Sequence, residues 1–208
     1  MDKTTFLNES ISIIIVLTIS IIFTIAGFVY SKKYQGLKNY LVANRNIKFF
    51  SLTTSLTASA LGAWILFGPA SAATWGGIGA VVGYSLGTAF PMIALIFLGK
   101  KIRKLNPGGS TLIEFLRKRF GESLFKLILL MTIFYMFIFL CAEITAIAML
   151  VNYISNTDLW ITALIVLAST LAYTLYGGLK ASIFTDTIQS VIILILFLIS
   201  SYYLLSFT

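Results

Sequence analysis

Hydrophobic residues occur along this chain in long runs rather than in the short alternating blocks that are typical of a soluble domain. A run of about 20 apolar residues is long enough to cross the hydrocarbon layer of a bilayer as an α-helix. By this measure the sequence predicts about six transmembrane helices, at residues 11–30, 49–74, 78–98, 124–151, 159–175 and 181–205. We therefore expect an all-α integral membrane protein in which residues 1–208 form a single transmembrane domain.

The second run, residues 50–75, differs from a plain membrane anchor because hydroxyl residues, glycine and proline interrupt it. Small and polar side chains suit a helix packed inside a bundle. Pro69 lacks an N–H and follows Gly68, so the helical hydrogen bonds are weakened near the middle of the run. An opened helix frees carbonyl oxygens at membrane depth, where secondary transporters bind ions and substrates. The alternative is a kinked helix that packs tightly and binds no ligand.

The composition supports a membrane protein, since 59% of the residues are hydrophobic against about 45–50% in soluble domains. The net charge of +8 could suggest a nucleic-acid partner, but Lys and Arg lie almost entirely in the first, third and fifth predicted loops. By the positive-inside rule these loops are cytoplasmic and the N-terminus is outside. We expect a multi-pass protein of the inner (cytoplasmic) membrane, with membrane lipid around it and no nucleic-acid partner.

The residue types present exclude several kinds of chemistry. The sequence contains no histidine and a single cysteine, Cys141. Imidazole catalysis, an intrachain disulfide and a cysteine metal cluster are therefore excluded. No two acidic residues have the spacing of metal ligands, so we expect neither an enzyme nor an organic cofactor.

Glu143 is an acidic residue deep within the fourth hydrophobic run. A carboxylate at the bilayer centre costs about 2.5–3.5 kcal/mol on insertion scales, so it is expected to face the interior of a bundle and to mark an ion or proton path. Two other interpretations remain open. Glu143 could lie one turn from the outer surface, or it could be protonated and hydrogen-bonded to a neighbouring helix.

A Gly-Gly pair at residues 177–178 interrupts the last long apolar stretch and precedes a helix whose first turns contain Asp186 and Gln189. These two residues are three apart and share one helix face. Asp186 lies near the positive end of the helix dipole, which favours a charged carboxylate. The alternative is a polar cap that snorkels into the headgroup layer.

The third predicted loop contains Thr111 and Glu114 at the spacing of a capping box. In this motif the hydroxyl accepts a hydrogen bond from the backbone N–H three residues later and so starts a helix. Apolar and basic residues alternate after it, which predicts a short amphipathic helix in the cytoplasmic headgroup layer.

Three segments resemble one known family. YTLYGGLKASIFTDTIQ, residues 173–189, resembles the signature of the sodium:solute symporter family, which includes sodium-coupled proline, galactose and pantothenate transporters. SLTASALGAWILFGPASA, residues 55–72, is similar to the broken helix of that family, and TLIEFLRKRFG, residues 111–121, resembles its loop ending in Arg-Phe-Gly. The sequence departs from the family pattern at Asn156, where Gly or Ser is usual.

The resemblance implies a leucine-transporter-like fold, in which two five-helix repeats of opposite orientation enclose the site. Residues 11–30 would be an extra N-terminal helix and residues 49–205 the first repeat, with the second repeat absent. We therefore expect an incomplete transporter, which needs the missing C-terminal half or a partner chain to complete its site. The expected function is sodium-coupled symport of a small polar solute, and the alternative is a symporter-like sensor domain of a signalling protein.

The resemblance also implies particular site residues. Backbone carbonyls of Ala58 and Leu61 would bind sodium, which is the coupling ion and the only metal expected. Asp186 would lie on the inward sodium path. Trp64 and Ile65 match positions near the substrate in sugar-transporting relatives. Because both are apolar here, the sequence does not indicate a sugar or proline as the solute.

Overall fold

The computed structural model describes residues 6–34, 36–108 and 111–206. Within these ranges the secondary structure is entirely helical and contains no β-strand. The α-helices are α1 (Glu9–Lys32), α2 (Leu37–Val42), α3 (Phe49–Ala60), α4 (Gly68–Leu105), α5 (Leu112–Phe120), α6 (Glu122–Ser155) and α7 (Leu159–Ser206). Two 3-10 turns lie at Ala43–Arg45 and Ala63–Leu66. The prediction of an all-α protein is confirmed over these ranges.

Within the same ranges, four helical segments are long and apolar enough to cross a membrane: Glu9–Lys32, Ala63–Leu105, Glu122–Ser155 and Leu159–Tyr203. Large apolar side chains along them are exposed, for example Ile22 at 58%, Phe134 at 64% and Phe197 at 66%. Such surfaces are unfavourable in water and compatible with lipid hydrocarbon. Their length and exposure are those of a multi-pass membrane protein.

Two of these segments contain a glycine whose backbone is not helical. Gly77 in α4 has φ 57° and ψ −154°, and Gly178 in α7 has φ 59° and ψ −152°. This conformation is open to glycine because it has no Cβ. The predicted boundaries near residues 74–78 and 175–181 therefore coincide with interruptions of a long helix rather than with loops. Six membrane crossings remain a prediction.

The helix start predicted from the Thr111 and Glu114 spacing is confirmed. Thr111 is the N-cap residue, and its Oγ1 accepts a hydrogen bond from the backbone N–H of Glu114 at 3.1 Å. Arg117, Lys118 and Arg119 occupy the last turn, where cations interact favourably with the negative end of the helix dipole.

The loop between α6 and α7 is short and well hydrogen-bonded. Asn156 follows the end of α6 with φ 59°, a left-handed conformation that asparagine tolerates better than most residues with a side chain. The Asn152 side-chain amide donates to the carbonyl of Thr157 at 2.8 Å, and the Ser155 and Thr157 hydroxyls are 2.7 Å apart. The left-handed conformation is one that asparagine shares with glycine, one of the two residues usual at this position in the family that the sequence resembles.

The chain packs as two compact units. The first comprises Met1–Gly62 and Ile147–Thr208, and the second comprises Ala63–Ala146. In the first unit α1, α2 and α3 all pack against α7. In the second unit the Ala63–Leu66 turn packs against α4.

Close packing in the first unit depends on small residues of α1 and α7. The most buried face of α7 has residues four apart: Tyr173, Gly177, Ala181 and Thr185. A Cβ on Gly177 would lie 2.8 Å from the Cβ of Ser31, and a Cβ on Gly27 would lie 2.8 Å from the Cβ of Tyr173. Real Cβ atoms do not approach so closely, so these glycines are needed for the observed separation of α1 and α7.

Gly178 has both a special backbone conformation and a close neighbour. A Cβ on this residue would lie 2.6 Å from the carbonyl oxygen of Tyr40 on α2. Gly77 has a similar backbone but open space around it, and Gly83 has open space without a positive φ. Substitutions at these three glycines therefore distinguish the effect of backbone strain from the effect of a steric clash.

We predict that Gly178→Ala lowers the melting temperature in detergent more than Gly77→Ala does, and that Gly83→Ala has little effect. A positive φ on a residue with a side chain costs about 1–3 kcal/mol, and only Gly178 adds a clash with Tyr40. Thermal unfolding of the three purified variants measures this order. Equal melting temperatures for Gly178→Ala and Gly83→Ala would contradict it.

Candidate functional site

The chain leaves the α-helical conformation directly after α3. Leu61 has φ −99° and ψ 41°, and its N–H donates a last helical hydrogen bond to the Thr57 carbonyl at 2.9 Å. The Ala63–Leu66 turn follows before α4 begins at Gly68. The interruption predicted for this segment is present, but it begins at Leu61 rather than at Pro69. Pro69 lies in the first turn of α4, where a missing N–H costs no helical hydrogen bond.

Ala58 and Leu61, the predicted carbonyl ligands of sodium, lie at this interruption. Ala58 is in the last turn of α3 and Leu61 is its C-cap residue. The last carbonyls of an α-helix have no helical N–H four residues ahead, so they are available to other donors or to cations. Their role as sodium ligands remains a prediction.

Asp186 on α7 is hydrogen-bonded to the same helix, one turn before Ala58. The Ser55 hydroxyl donates to Asp186 Oδ2 at 2.6 Å, a length typical of a hydroxyl bound to a charged carboxylate. Beside it, the Thr54 hydroxyl donates to Thr187 Oγ1 at 3.2 Å. Thr54 and Ser55 are each 7% exposed. Two adjacent polar pairs therefore join α3 to α7 within the first unit.

The sequence analysis did not identify Ser55 or Thr54 as partners of α7. A usable signal was present, because two consecutive hydroxyl residues precede the interruption and two consecutive polar residues, Asp186 and Thr187, follow the Gly-Gly break. Adjacent polar residues on two packed helices can pair only in one register. Which register is adopted depends on the packing of the helices.

In the second unit, Glu143 of α6 bonds to the turn that follows the interruption. Its Oε2 accepts a long hydrogen bond, 3.4 Å, from the backbone N–H of Trp64. In a continuous helix this N–H would donate to the carbonyl of Ala60. Glu143 Oε1 is buried and has no hydrogen-bond partner. The carboxylate thus accepts a hydrogen bond from one N–H that has lost its helical acceptor at the interruption. Its other oxygen, Oε1, accepts none.

Trp64 is held by two neighbours in the same unit. Its indole ring lies 5.4 Å from the ring of Tyr84, measured between centroids, at an interplanar angle of 57°. A Cβ on Gly68 would lie 2.6 Å from Cζ3 of Trp64, so the indole rests against a part of α4 where no side chain is present. Ile65, the other residue predicted near the substrate, is in the same turn and is half-buried.

The charges around these groups are sparse. Among the described residues, ion pairs occur only around α5, between Arg117 and Glu122 at 2.7 Å and between Lys118 and Glu114 at 3.0 Å. Throughout the residues that the structure describes, no three His, Cys, Asp or Glu side chains are close enough together to hold a metal ion.

Helices of membrane-spanning length, together with a helix that is opened between two helical segments, are typical of secondary transporters. Within that class the particular family follows from comparison with known proteins. Residues 40–207 match the sodium:solute symporter family, and the chain belongs to this family. The resemblance seen in three segments of the sequence is confirmed. Members of this family are transporters rather than enzymes.

Individual relatives are similar over most of this chain. It is 28% identical to a spermidine transporter of Candida albicans, over 83% of this chain and 33% of the relative. It is 32% identical to sodium/glucose cotransporter 4 of Danio rerio, over 75% of this chain and 24% of the relative. It is 32% identical to human sodium/myo-inositol cotransporter 2, over 88% of this chain and 27% of the relative. The chain thus spans about a quarter to a third of the length of these relatives, and no solved structure matches it.

We predict that the hydrogen bond between Ser55 and Asp186 stabilises the packing of α3 on α7. Ser55→Ala should lower the free energy of unfolding by about 1.5–3 kcal/mol, because it leaves a partly buried carboxylate without its donor. Ser59→Ala on the exposed side of α3 is the matched control. In an Asp186→Asn background the effect of Ser55→Ala should shrink. Additive effects of the two substitutions in thermal or denaturant unfolding would show that the pair is not coupled.

Proposed function

We propose that this protein carries out sodium-coupled symport of a small polar solute by alternating access. The observation that carries the proposal is the interruption after α3, which begins less than two helical turns beyond the hydroxyl that binds Asp186. Membership of the sodium:solute symporter family supports it. Relatives named as sodium/glucose and sodium/myo-inositol cotransporters support sodium as the coupling ion.

In this proposal the sodium ion is bound by the carbonyls of Ala58 and Leu61. Ser55 is three residues before Ala58, which corresponds to about 4.5 Å along the helix axis. A carboxylate held at Ser55 therefore lies close enough to attract a cation toward these carbonyls through its local field. Hard cations take about six or more oxygen ligands. The remaining ligands would come from a second repeat of opposite orientation, which the leucine-transporter-like fold requires.

The proposed architecture assigns residues 11–30 to an extra first helix and residues 49–205 to the first five-helix repeat. The interruptions at Gly77 and Gly178 support this division, because each falls where one predicted span ends and another begins. The basic first, third and fifth loops support an inner membrane location with the N-terminus outside. The relatives are named for the transport of spermidine, glucose and myo-inositol, and these names support a small polar solute.

We predict that Asp186→Asn raises the sodium concentration needed for half-maximal uptake several-fold. Asparagine keeps an oxygen that accepts the Ser55 hydrogen bond but removes the charge that attracts the cation. Uptake of labelled solute by cells producing the chain completed with a second repeat, measured over a range of sodium concentrations, checks this. Asp158→Asn is the matched control because Asp158 is exposed and precedes the first turn of α7. An unchanged sodium dependence in Asp186→Asn would remove this residue from the sodium path.

We predict that the segment around Lys104 is cytoplasmic and that the start of α1 is outside. In a Cys141→Ala background, Lys104→Cys should react only with membrane-permeant thiol reagents, and Ser10→Cys should also react with an impermeant reagent added to intact cells. Both positions are exposed. Labelling of Lys104→Cys from outside intact cells would reverse the proposed orientation.

A further inference from the structure

Glu143, Trp64 and Tyr84 form a cluster within the second unit that the coupling ion does not explain. One carboxylate oxygen, Oε2, accepts only the long 3.4 Å hydrogen bond from the Trp64 N–H. The other, Oε1, is buried without a partner. A buried carboxylate oxygen that lacks a donor is costly. The cluster therefore lacks a donor, and a bound ligand could supply one.

The missing partner is not a basic side chain of this unit. All Lys and Arg residues of Ala63–Ala146 lie within residues 100–126. On α6, Lys126 is 17 positions from Glu143, which is about 25 Å at the helical rise. On α4, Lys100 is 16 positions from Tyr84, or about 24 Å. These distances exceed the reach of a lysine side chain, so the basic residues of α4 and α6 do not supply the missing donor.

Trp64 contacts Glu143 through its backbone N–H and packs its indole ring against Tyr84, and this pair of rings favours an organic cation over a neutral polyol. The faces of tryptophan and tyrosine attract ammonium groups, and tryptophan is the strongest of the aromatic residues in this respect. Trp64 and Tyr84 are both half-buried, which strengthens such an attraction. The α4 hydroxyls of Thr74, Ser85 and Thr88 already donate to carbonyls of α4, so they do not offer the free donors that a polyol needs.

We propose that Glu143, Trp64 and Tyr84 bind the ammonium group of a small organic cation, and that the solute of this transporter is an amine. The ammonium group donates to Oε1 and lies against the two rings. Transport of the amine rests on the proposed function, whereas its binding does not. The cluster thereby gives Trp64 a direct role in solute recognition and gives Glu143 a partner.

The test is direct binding of labelled putrescine, a primary diamine, and choline, a quaternary ammonium, to the protein in lipid nanodiscs. Labelled myo-inositol serves as the neutral probe. We expect both cations to bind and myo-inositol not to bind. Glu143→Gln should weaken putrescine binding at least about tenfold, the effect of losing a hydrogen bond to a charged group. It should also weaken choline binding through loss of the negative charge, because a quaternary ammonium has no N–H to donate. Glu9→Gln, an exposed position on α1, should leave binding unchanged.

A second pair of variants tests the contribution of the aromatic rings to cation binding. Trp64→Leu should weaken choline binding several-fold, whereas Trp75→Leu should not, because Trp75 is 78% exposed and lies outside the cluster. Glu143→Asp keeps the negative charge and should retain measurable cation binding. This variant shows that a loss in Glu143→Gln comes from the charge, provided that both elute as folded protein.

The other possible results of these measurements distinguish the amine site from the proposed symport. The proposal is overturned if neither cation binds at millimolar concentration, or if Glu143→Gln binds both as tightly as the original protein. Sodium-driven uptake of myo-inositol without cation binding would reject the amine site and leave the proposed symport intact. Cation binding with no sodium-dependent uptake by the chain completed with a second repeat would support the amine site and contradict the symport. Sodium binding that is lost in Glu143→Gln, without amine binding, would make Glu143 an inorganic cation site and reject the proposal.

Discussion

A backbone that opens within a membrane helix must find new partners for its N–H and C=O groups, because lipid hydrocarbon offers none. The interruption that starts at Leu61, next to the membrane-length segment Ala63–Leu105, creates a similar requirement, and neighbouring groups meet part of it. The 3-10 turn at Ala63–Leu66 restores part of the backbone hydrogen bonding. Glu143 accepts the N–H of Trp64. The carbonyls at the end of α3 lie where a cation can act as their partner, which links the structural constraint to the proposed function.

Glycine serves two different physical purposes in this chain. At Gly77 and Gly178 it permits a backbone conformation that side chains disfavour, and a long helix is interrupted there. At Gly27 and Gly177 the backbone is helical, and the absence of a side chain allows α1 and α7 to approach closely. Gly178 combines both purposes, since Tyr40 lies directly over it. The packing of the first unit therefore depends on where side chains are missing as much as on where they are present.

The functional groups divide between the two compact units, and the border at Gly62 and Ala63 falls at the interruption itself. The first unit contains the α3 carbonyls, the Ser55 hydroxyl and Asp186, which are oxygen groups suited to a hard cation. The second contains Trp64, Tyr84 and Glu143, a combination of rings and carboxylate suited to an organic cation. Ala58 and Leu61 thus belong to the proposed sodium site, and Trp64, three residues further along the chain, belongs to the proposed solute site.

The sequence by itself determined the helical class, the presence of long apolar helices, the cap of α5, the glycine interruptions and the family. These features depend on local properties: the length of apolar runs, the backbone freedom of glycine and the hydrogen bonding of residues three or four apart. Only the tertiary structure decided that the helix opens at Leu61 rather than at Pro69. It also decided that Ser55 bonds to Asp186 across 131 residues and that Trp64 bonds to Glu143 across 79 residues. Which residues become partners depends on the register in which the helices pack. That register is determined by the side chains of the whole helix interface and not by the two hydrogen-bonded residues alone.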